Sequence, residues 1–164
     1  MFTSDNIYLT KMTRAIARAY FKEFVIDPAV FLPGQTVRQF RYSDEWVDAY
    51  LMRYKDCEHL AIVLKDRPIG EILFKHIDNI NKTAVFSIHL QNDSVKGKGY
   101  GTVAEKLAIE YAFDQMGLTV LFADAAKDNI RSVHVLEKAG FHFIKEDNNF
   151  CYYEIRNPDI CGRN

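Results

Sequence analysis

Val95-Lys96-Gly97-Lys98-Gly99-Tyr100-Gly101-Thr102 decides how this chain is read. Its glycines alternate with lysines and aromatic or polar residues, and a helix opens from it. Upstream, Ala84 to Gln91 is β-branched, aromatic and partly alternating, which predicts a strand. Downstream, Tyr100, Val103, Ala104, Leu107, Ala108, Tyr111 and Ala112 recur at helical spacing. The unit is strand, Gly-rich loop, helix.

That unit suits an anion. A helix start leaves main-chain N–H groups without intrahelical partners, and the helix dipole places about half a positive charge there. Glycines let the backbone wrap closely, because no Cβ intervenes. Lys96 and Lys98 add positive charge, so the loop is a candidate phosphate cradle. A plain strand-to-helix turn with relaxed glycines is the bland alternative. The Walker A order of glycines, lysine and hydroxyl is absent. A dinucleotide fingerprint is a nearer rival, with Gly97-x-Gly99 after a strand and Asp124 near the end of the next one. Against it, Thr102 stands where the third glycine belongs, and the loop lies past the middle of a 164-residue chain.

Working outward, residues 7–12 read as a first strand and Thr13 as an N-cap for a helix over 14–24. Pro28, Pro33 and Gly34 mark a loop over 25–35. Residues 36–55 form a second helical region with Val37, Phe40, Trp46, Val47, Tyr50, Leu51 and Tyr54 on an aromatic-rich face; Ser43 with Trp46 marks a possible N-cap inside it. From His59 the period changes to that of strands. His59 to Leu64 and Ile69 to Ile77 form a hairpin across Lys65-Asp66-Arg67-Pro68. Asp78 to Lys82 is a second turn. After the central helix stops at Gly117, Leu118 to Ala126 is apolar on both faces, as in a central strand. Asp128 is expected to cap a helix over 129–139 that ends at Gly140. Phe141 to Glu146 and Phe150 to Arg156 make a last hairpin, and the tail from Asn157 is expected to be loose. The order implies an α+β or mixed α/β domain, with helices covering a largely antiparallel sheet.

Composition narrows the partners. The chain is 48% hydrophobic and 13% aromatic, so a sizeable core is available. Lys and Arg number 21 against 22 Asp and Glu, with no long basic run, so charge does not suggest nucleic acid. There is no apolar run of the roughly 18 residues a membrane span needs. Met1 to Asn6 lack the basic and apolar regions of a signal peptide. Cys57, Cys151 and Cys161 lack metal-ligand spacing and read as free thiols of a cytoplasmic protein.

With these elements in order, the chain resembles the GNAT superfamily of acetyl-coenzyme A-dependent N-acetyltransferases. Lys96 to Gly101 is similar to the family's Arg/Gln-x-x-Gly-x-Gly/Ala loop, and Asn129 to Phe141 is similar to its Asn…Glu-Lys-x-Gly-Phe segment. Within the superfamily, Ser132 and Val135 to Lys138 resemble the Rim-type branch that acetylates ribosomal proteins. The resemblance implies one N-acetyltransferase domain over 1–164, with its core at 7–156 and a tail at 157–164. It implies a GNAT-like fold, a central mixed sheet of about seven strands flanked by about four helices.

It also implies roles. Main-chain N–H groups of Lys96, Gly97, Lys98, Gly99, Tyr100, Gly101 and Thr102 would hold the coenzyme A pyrophosphate. The strand ending in His89, Leu90 and Gln91 would pair with the pantetheine amides, with Leu90 near the thioester carbonyl. Asn129 would bond the pantetheine arm, and Ser132 would sit near the sulfur. Many relatives carry Tyr where this chain has Leu136, and that Tyr is thought to protonate the leaving thiolate. Either Ser132 substitutes or no protein acid is needed, since a thiol of pKa about 8.5 leaves readily near neutral pH.

The implied reaction is attack of a neutral amine on the thioester, with no metal and with His89 the nearest candidate base. Alternation puts Ser87, His89 and Gln91 on one face and Phe86, Ile88 and Leu90 on the other, so His89 can equally be a histidine bonded on a sheet face. Trp46, Tyr50 and Tyr54 either line an acceptor pocket or form core. A non-catalytic acyl-coenzyme A sensor is the alternative function. Homodimer formation is open, and the acceptor amine is left unnamed.

Overall fold

The computed structural model describes residues 2–4, 6–32, 34–35 and 40–161. Among them one sheet of eight strands runs in the order β1-β2-β3-β4-β5-β6-β8-β7. The strands are β1 (Phe2–Ser4), β2 (Ile7–Lys11), β3 (Glu58–Leu64), β4 (Arg67–Asp78), β5 (Thr83–Leu90), β6 (Val120–Ala126), β7 (His142–Glu146) and β8 (Phe150–Arg156). Only β5 and β6 pair in parallel; every other neighbouring pair is antiparallel. The helices are α1 (Arg14–Lys22), α2 (Asp44–Arg53), α3 (Tyr100–Asp114), α4 (Ile130–Ala139) and the single turn α5 (Pro158–Cys161). This is the fold that the element order predicts, with a short strand added at the front and a helical turn at the end. No helix among the described residues is long and apolar enough to cross a membrane.

Local chemistry sets most element ends. Thr13 Oγ1 accepts the Ile16 N–H at 3.2 Å, and Ser43 Oγ accepts the Trp46 N–H at 3.1 Å. So the second helical region has its N-cap at Ser43, preceded by a 3-10 turn at Pro28–Val30. Val37 and Pro33 lie outside the described residues, as does the end of the tail. Lys65 and Asp66 both take positive φ, +48° and +66°, the two-residue turn whose twist matches its flanking strands. The cap of α4 is Asn129, not Asp128: Asn129 Oδ1 accepts the Ser132 N–H at 3.1 Å. Gly140 ends that helix at φ +103°, where a left-handed residue closes the last turn. β6 is also less apolar than expected. It alternates, with Phe122 and Asp124 on an exposed face.

The pleat sorts the core into two layers. Ala84 and Phe86, with Ile88 and Leu90 packed alongside, join Phe74, Leu121 and Tyr153 under α3. Ala104, Ala108 and Ala112 recur every fourth residue and are fully buried, so α3 lies close on the sheet. On the opposite face Ala17, Tyr20 and Phe21 of α1 pack with Val47 of α2. The Phe21 ring meets Phe24, Phe40, Trp46 and Tyr50 with centroids at 4.8–6.0 Å.

Gly70 on β4 faces Leu90 across the ladder, and a Cβ there would stand 2.7 Å from the His89 main-chain oxygen and 2.8 Å from Ile62 Cδ1. Gly70→Ala is expected to lower stability by about 1–3 kcal/mol, because main chain must move to admit the methyl. Urea unfolding of the pure protein measures this; an unchanged midpoint would show that the β4–β5 contact has slack.

Candidate active site

The parallel register of β5 with β6 holds only for Thr83↔Val120, Ala84↔Leu121 and Val85↔Phe122. Beyond it β5 stays with β4 as far as Leu90, while β6 stays with β8 as far as Ala126, so the two strands splay. In an antiparallel ladder, residues alternate between facing the partner strand and facing away. The Gln91 N–H donates to the Ile69 oxygen at 2.8 Å, which sets the phase of β5. The main-chain N–H and C=O of Ile88 and Leu90 therefore point into the opened cleft.

Above the cleft stands the head of α3. Its N-cap is Gly99, in the left-handed region at φ +83°, and no side chain caps it. Gly97 is left-handed too, at φ +71°. The first helical bond runs from the Val103 N–H to the Gly99 oxygen. The main-chain N–H groups from Gly97 through Thr102 have no hydrogen-bond partner among the described residues. Consecutive free donors at a helix start hold a diphosphate well, so the chain fits the group its resemblance implies. Lys96 departs from the expected role. Its N–H bonds the Asp93 oxygen and its ammonium is held 2.6 Å from Asp27, so the cradle's free donors start at Gly97. Burial alone would raise the Asp27 carboxyl, but Lys96, the Ala29 N–H and Arg131 outweigh it and hold it below the usual range.

A cavity of about 530 Å³ adjoins the cradle through Lys96 and Gly101. It brings together His89, Leu90, Asn129 and Ser132 of the sequence-predicted set. Gly97, Lys98, Gly99, Tyr100 and Thr102 stay outside its lining, on the cradle itself. Asn129 spends its Oδ1 on the helix cap while it lines the cavity. Leu136 is 3% exposed and belongs to the core. Asp124 is not in the lining, and a sheet with one parallel pair is not doubly wound. Among the described residues no group of three His, Cys, Asp or Glu side chains could hold a metal.

Two buried carboxyls were missed by sequence reasoning. Glu71, 2% exposed, is opposite His89 on β4. Its Oε1 accepts the Tyr50 hydroxyl at 2.9 Å, and its Oε2 lies 2.8 Å from His59 Nε2. His89 Nδ1 is 3.8 Å from Glu71 Oε1, buried and without a hydrogen-bond partner. The His89 side chain is nevertheless 42% exposed, on the cavity side. Burial lowers its pKa below 6.5; Glu71 opposes that shift, and Lys75 and Lys96 add to it. At 3.8 Å the Glu71 carboxylate acts on His89 through its charge rather than through a hydrogen bond. Glu105 on α3, 1% exposed, also lines the cavity and its Oε2 has no partner. Burial pushes its carboxyl up to about 8. In sequence, the signal for both was a charge within an apolar pattern: Glu71 in Ile-Gly-Glu-Ile-Leu, and Glu105 between Gly101 and Ala108 on one helix face.

A family model for the acetyltransferase (GNAT) domain matches residues 6–142, and the chain belongs to that family. A probable N-acetyltransferase, YjcK, of Bacillus subtilis strain 168 is 40% identical over 78 residues, 47% of this chain and 42% of the relative. The spermidine N(1)-acetyltransferase of Escherichia coli K12 is 32% identical over 72 residues, 44% of this chain and 38% of the relative. The chain thus matches about two-fifths of the length of these curated relatives. The ribosomal-protein-S5-alanine acetyltransferase of Vibrio fischeri shares the fold at TM-score 0.76 and 18% identity, over 96% of this chain and 97% of that one. A spermidine N-acetyltransferase of Vibrio cholerae, solved with coenzyme A and spermine, does so at TM-score 0.75 and 16% identity, over 92% and 95%.

Glu105 gives a stability prediction. A carboxyl kept protonated in the fold contributes in full below its ordinary 4.5 and loses that contribution as pH rises to about 8, because the unfolded chain ionises first. At about 1.4 kcal/mol per unit of pKa, the loss amounts to a few kcal/mol. Wild-type stability is expected to fall between about pH 5 and about pH 8, and Glu105→Gln to remove most of that slope. Urea midpoints across this range decide it; parallel profiles would show that Glu105 ionises freely in the folded protein.

Proposed function

We propose that this chain, as a single domain, moves the acetyl group of acetyl-coenzyme A to the primary amine of a small molecule or protein N-terminus. The observation that carries the reading is the run of free N–H groups from Gly97 to Thr102, opening onto a cavity beside a splayed strand. Those donors hold the diphosphate. The Ile88 and Leu90 main chain pairs with the pantetheine amides, and Asn129 bonds the same arm. The acyl group supplies an electrophilic carbon and a thiolate that leaves.

Only the neutral amine attacks. His89, held neutral, accepts the amine's proton at Nε2, and the Glu71 carboxylate beside Nδ1 stabilises the imidazolium that forms. Ser132 lines the sulfur side and bonds the departing thiolate, since the buried Leu136 has no proton to give. Spermidine, named for some relatives, is one candidate amine. Leu136 favours a second reading, a sensor that binds acyl-coenzyme A without turnover; thiol release over a broad amine panel excludes it.

Two tests follow from this assignment. Gly99→Val places a β-branched residue at φ +83°, a conformation that strains it by about 1–3 kcal/mol, so the cradle reshapes. Calorimetry is expected to show coenzyme A affinity lowered by about tenfold or more with circular dichroism unchanged. Unaltered affinity in both Gly99→Val and Gly101→Val would remove the basis of the reading. For His89, kcat/KM is expected to decline as pH drops through a value below 6.5, where the ring gains its proton. His89→Ala should lower kcat by about a hundredfold or more and abolish that acidic limb. A limb that persists in the variant assigns the proton transfer elsewhere.

A further inference from the structure

The far end of the cavity, away from the cradle, is a wall of rings over one carboxylate. Phe21, Phe24, Phe40, Trp46 and Tyr50 line it and pack on one another. Trp46 stacks on Tyr50 at 5.0 Å and 20°, meets Phe40 edge-on at 4.7 Å, and still keeps 37% of its surface open. Phe31, from the loop after α1, faces the same space.

The charges at this wall are few. The carboxylates lining the cavity are Asp27, Glu71 and Glu105. Asp27 is neutralised by Lys96 and lies 4.0 Å from Arg131. Glu105 is buried on α3 with its proton retained near neutral pH. Glu71 is the one left to meet a cation, and its neighbours are a tyrosine and two histidines rather than Lys or Arg. A second ammonium on the same ligand would face rings alone or the cations Lys96 and Arg131.

We propose that the acceptor is a monoamine whose single ammonium hangs from a flat apolar body, an arylalkylamine in chemical class. The ring wall holds the body, Glu71 receives the ammonium, and polyamines are disfavoured. The claim rests on the acetyl-transfer reading above. Glu71 on β4 is the cross-strand partner of His89 on β5, and the cleft opens at the other edge of β5, so an amine at Glu71 lies beside the base and reaches the thioester past it. The face of the Trp46 ring carries a negative quadrupole that attracts the same ammonium as it enters.

The test uses phenethylamine and spermidine as probes, with and without saturating acetyl-coenzyme A. Trp46 is the sole tryptophan, so its emission reports on the wall directly. Phenethylamine is expected to change that emission saturably and spermidine not to. Thiol release should favour phenethylamine in kcat/KM by about a hundredfold, the scale on which an apolar pocket discriminates between substrates that fill it differently. Glu71→Gln should abolish the preference for phenethylamine over 2-phenylethanol in the emission titration. That variant also disturbs Tyr50 and His59, so Phe31→Ala is the second probe. It should raise KM for phenethylamine by about tenfold while coenzyme A affinity holds. A stronger response to spermidine, or no response to either amine, overturns the proposal. Failure of the wild type to bind coenzyme A overturns the acetyl-transfer reading instead, and the emission titration still decides the amine site.

Discussion

The site exists because a parallel ladder stops early. After Val85 and Phe122 the strands β5 and β6 each keep one partner and lose the other. Main-chain groups inside a protein must be hydrogen-bonded somewhere, and leaving one unmet costs about 1–3 kcal/mol. The Ile88 and Leu90 amides on one side, and the Gly97 to Thr102 donors above them, are thus hydrogen-bonding capacity that the chain itself does not use. A ligand with amides at one end and phosphates at the other matches that pattern in order and in polarity.

Local features were legible in the sequence and relational ones were not. The caps at Thr13 and Ser43, the stop at Gly140 and the glycines of the cradle act over a few residues, and each stands where its spacing placed it. The splay is different. Ala84 to Gln91 and Leu118 to Ala126 both read as ordinary strands, and nothing in either says that their ladder ends halfway. Lys96 reads as a phosphate ligand until its distant partner is known; Asp27 lies 69 positions earlier. Asp128 and Asn129 are both good caps on propensity, and only the bond to Ser132 separates them. Glu71 and Glu105 interrupt apolar patterns, but whether such a charge is buried or turned outward depends on what covers it.

Those two glutamates show how surroundings set chemistry. Glu71 is buried among groups that can answer it: the Tyr50 hydroxyl, His59 and the His89 ring. Glu105 is equally hidden, with one oxygen unmet, and burial keeps its proton on near neutral pH. One cavity therefore holds a carboxyl met by hydrogen-bonding neighbours and another with an oxygen left unmet. Since Leu136 is core, any proton the thiolate needs comes from a side chain in this lining or from solvent.

The Gly97 to Thr102 donors and the ring wall of the cavity are joined by the same few bonds. The Val25 N–H donates to the Gln91 oxygen at 2.8 Å, Gln91 Nε2 to the Tyr20 oxygen at 2.7 Å, and Asn92 Nδ2 to the Glu23 oxygen at 3.0 Å. The Lys96–Asp27 pair continues that seam up to the cradle, with the Lys96 side chain only 11% exposed. The chain that leaves α1 toward Phe24 and Phe31 is in this way tied to the end of β5 and to the loop before α3. That coupling has a physical basis in a partly buried ion pair, whose separation would leave two charges poorly solvated.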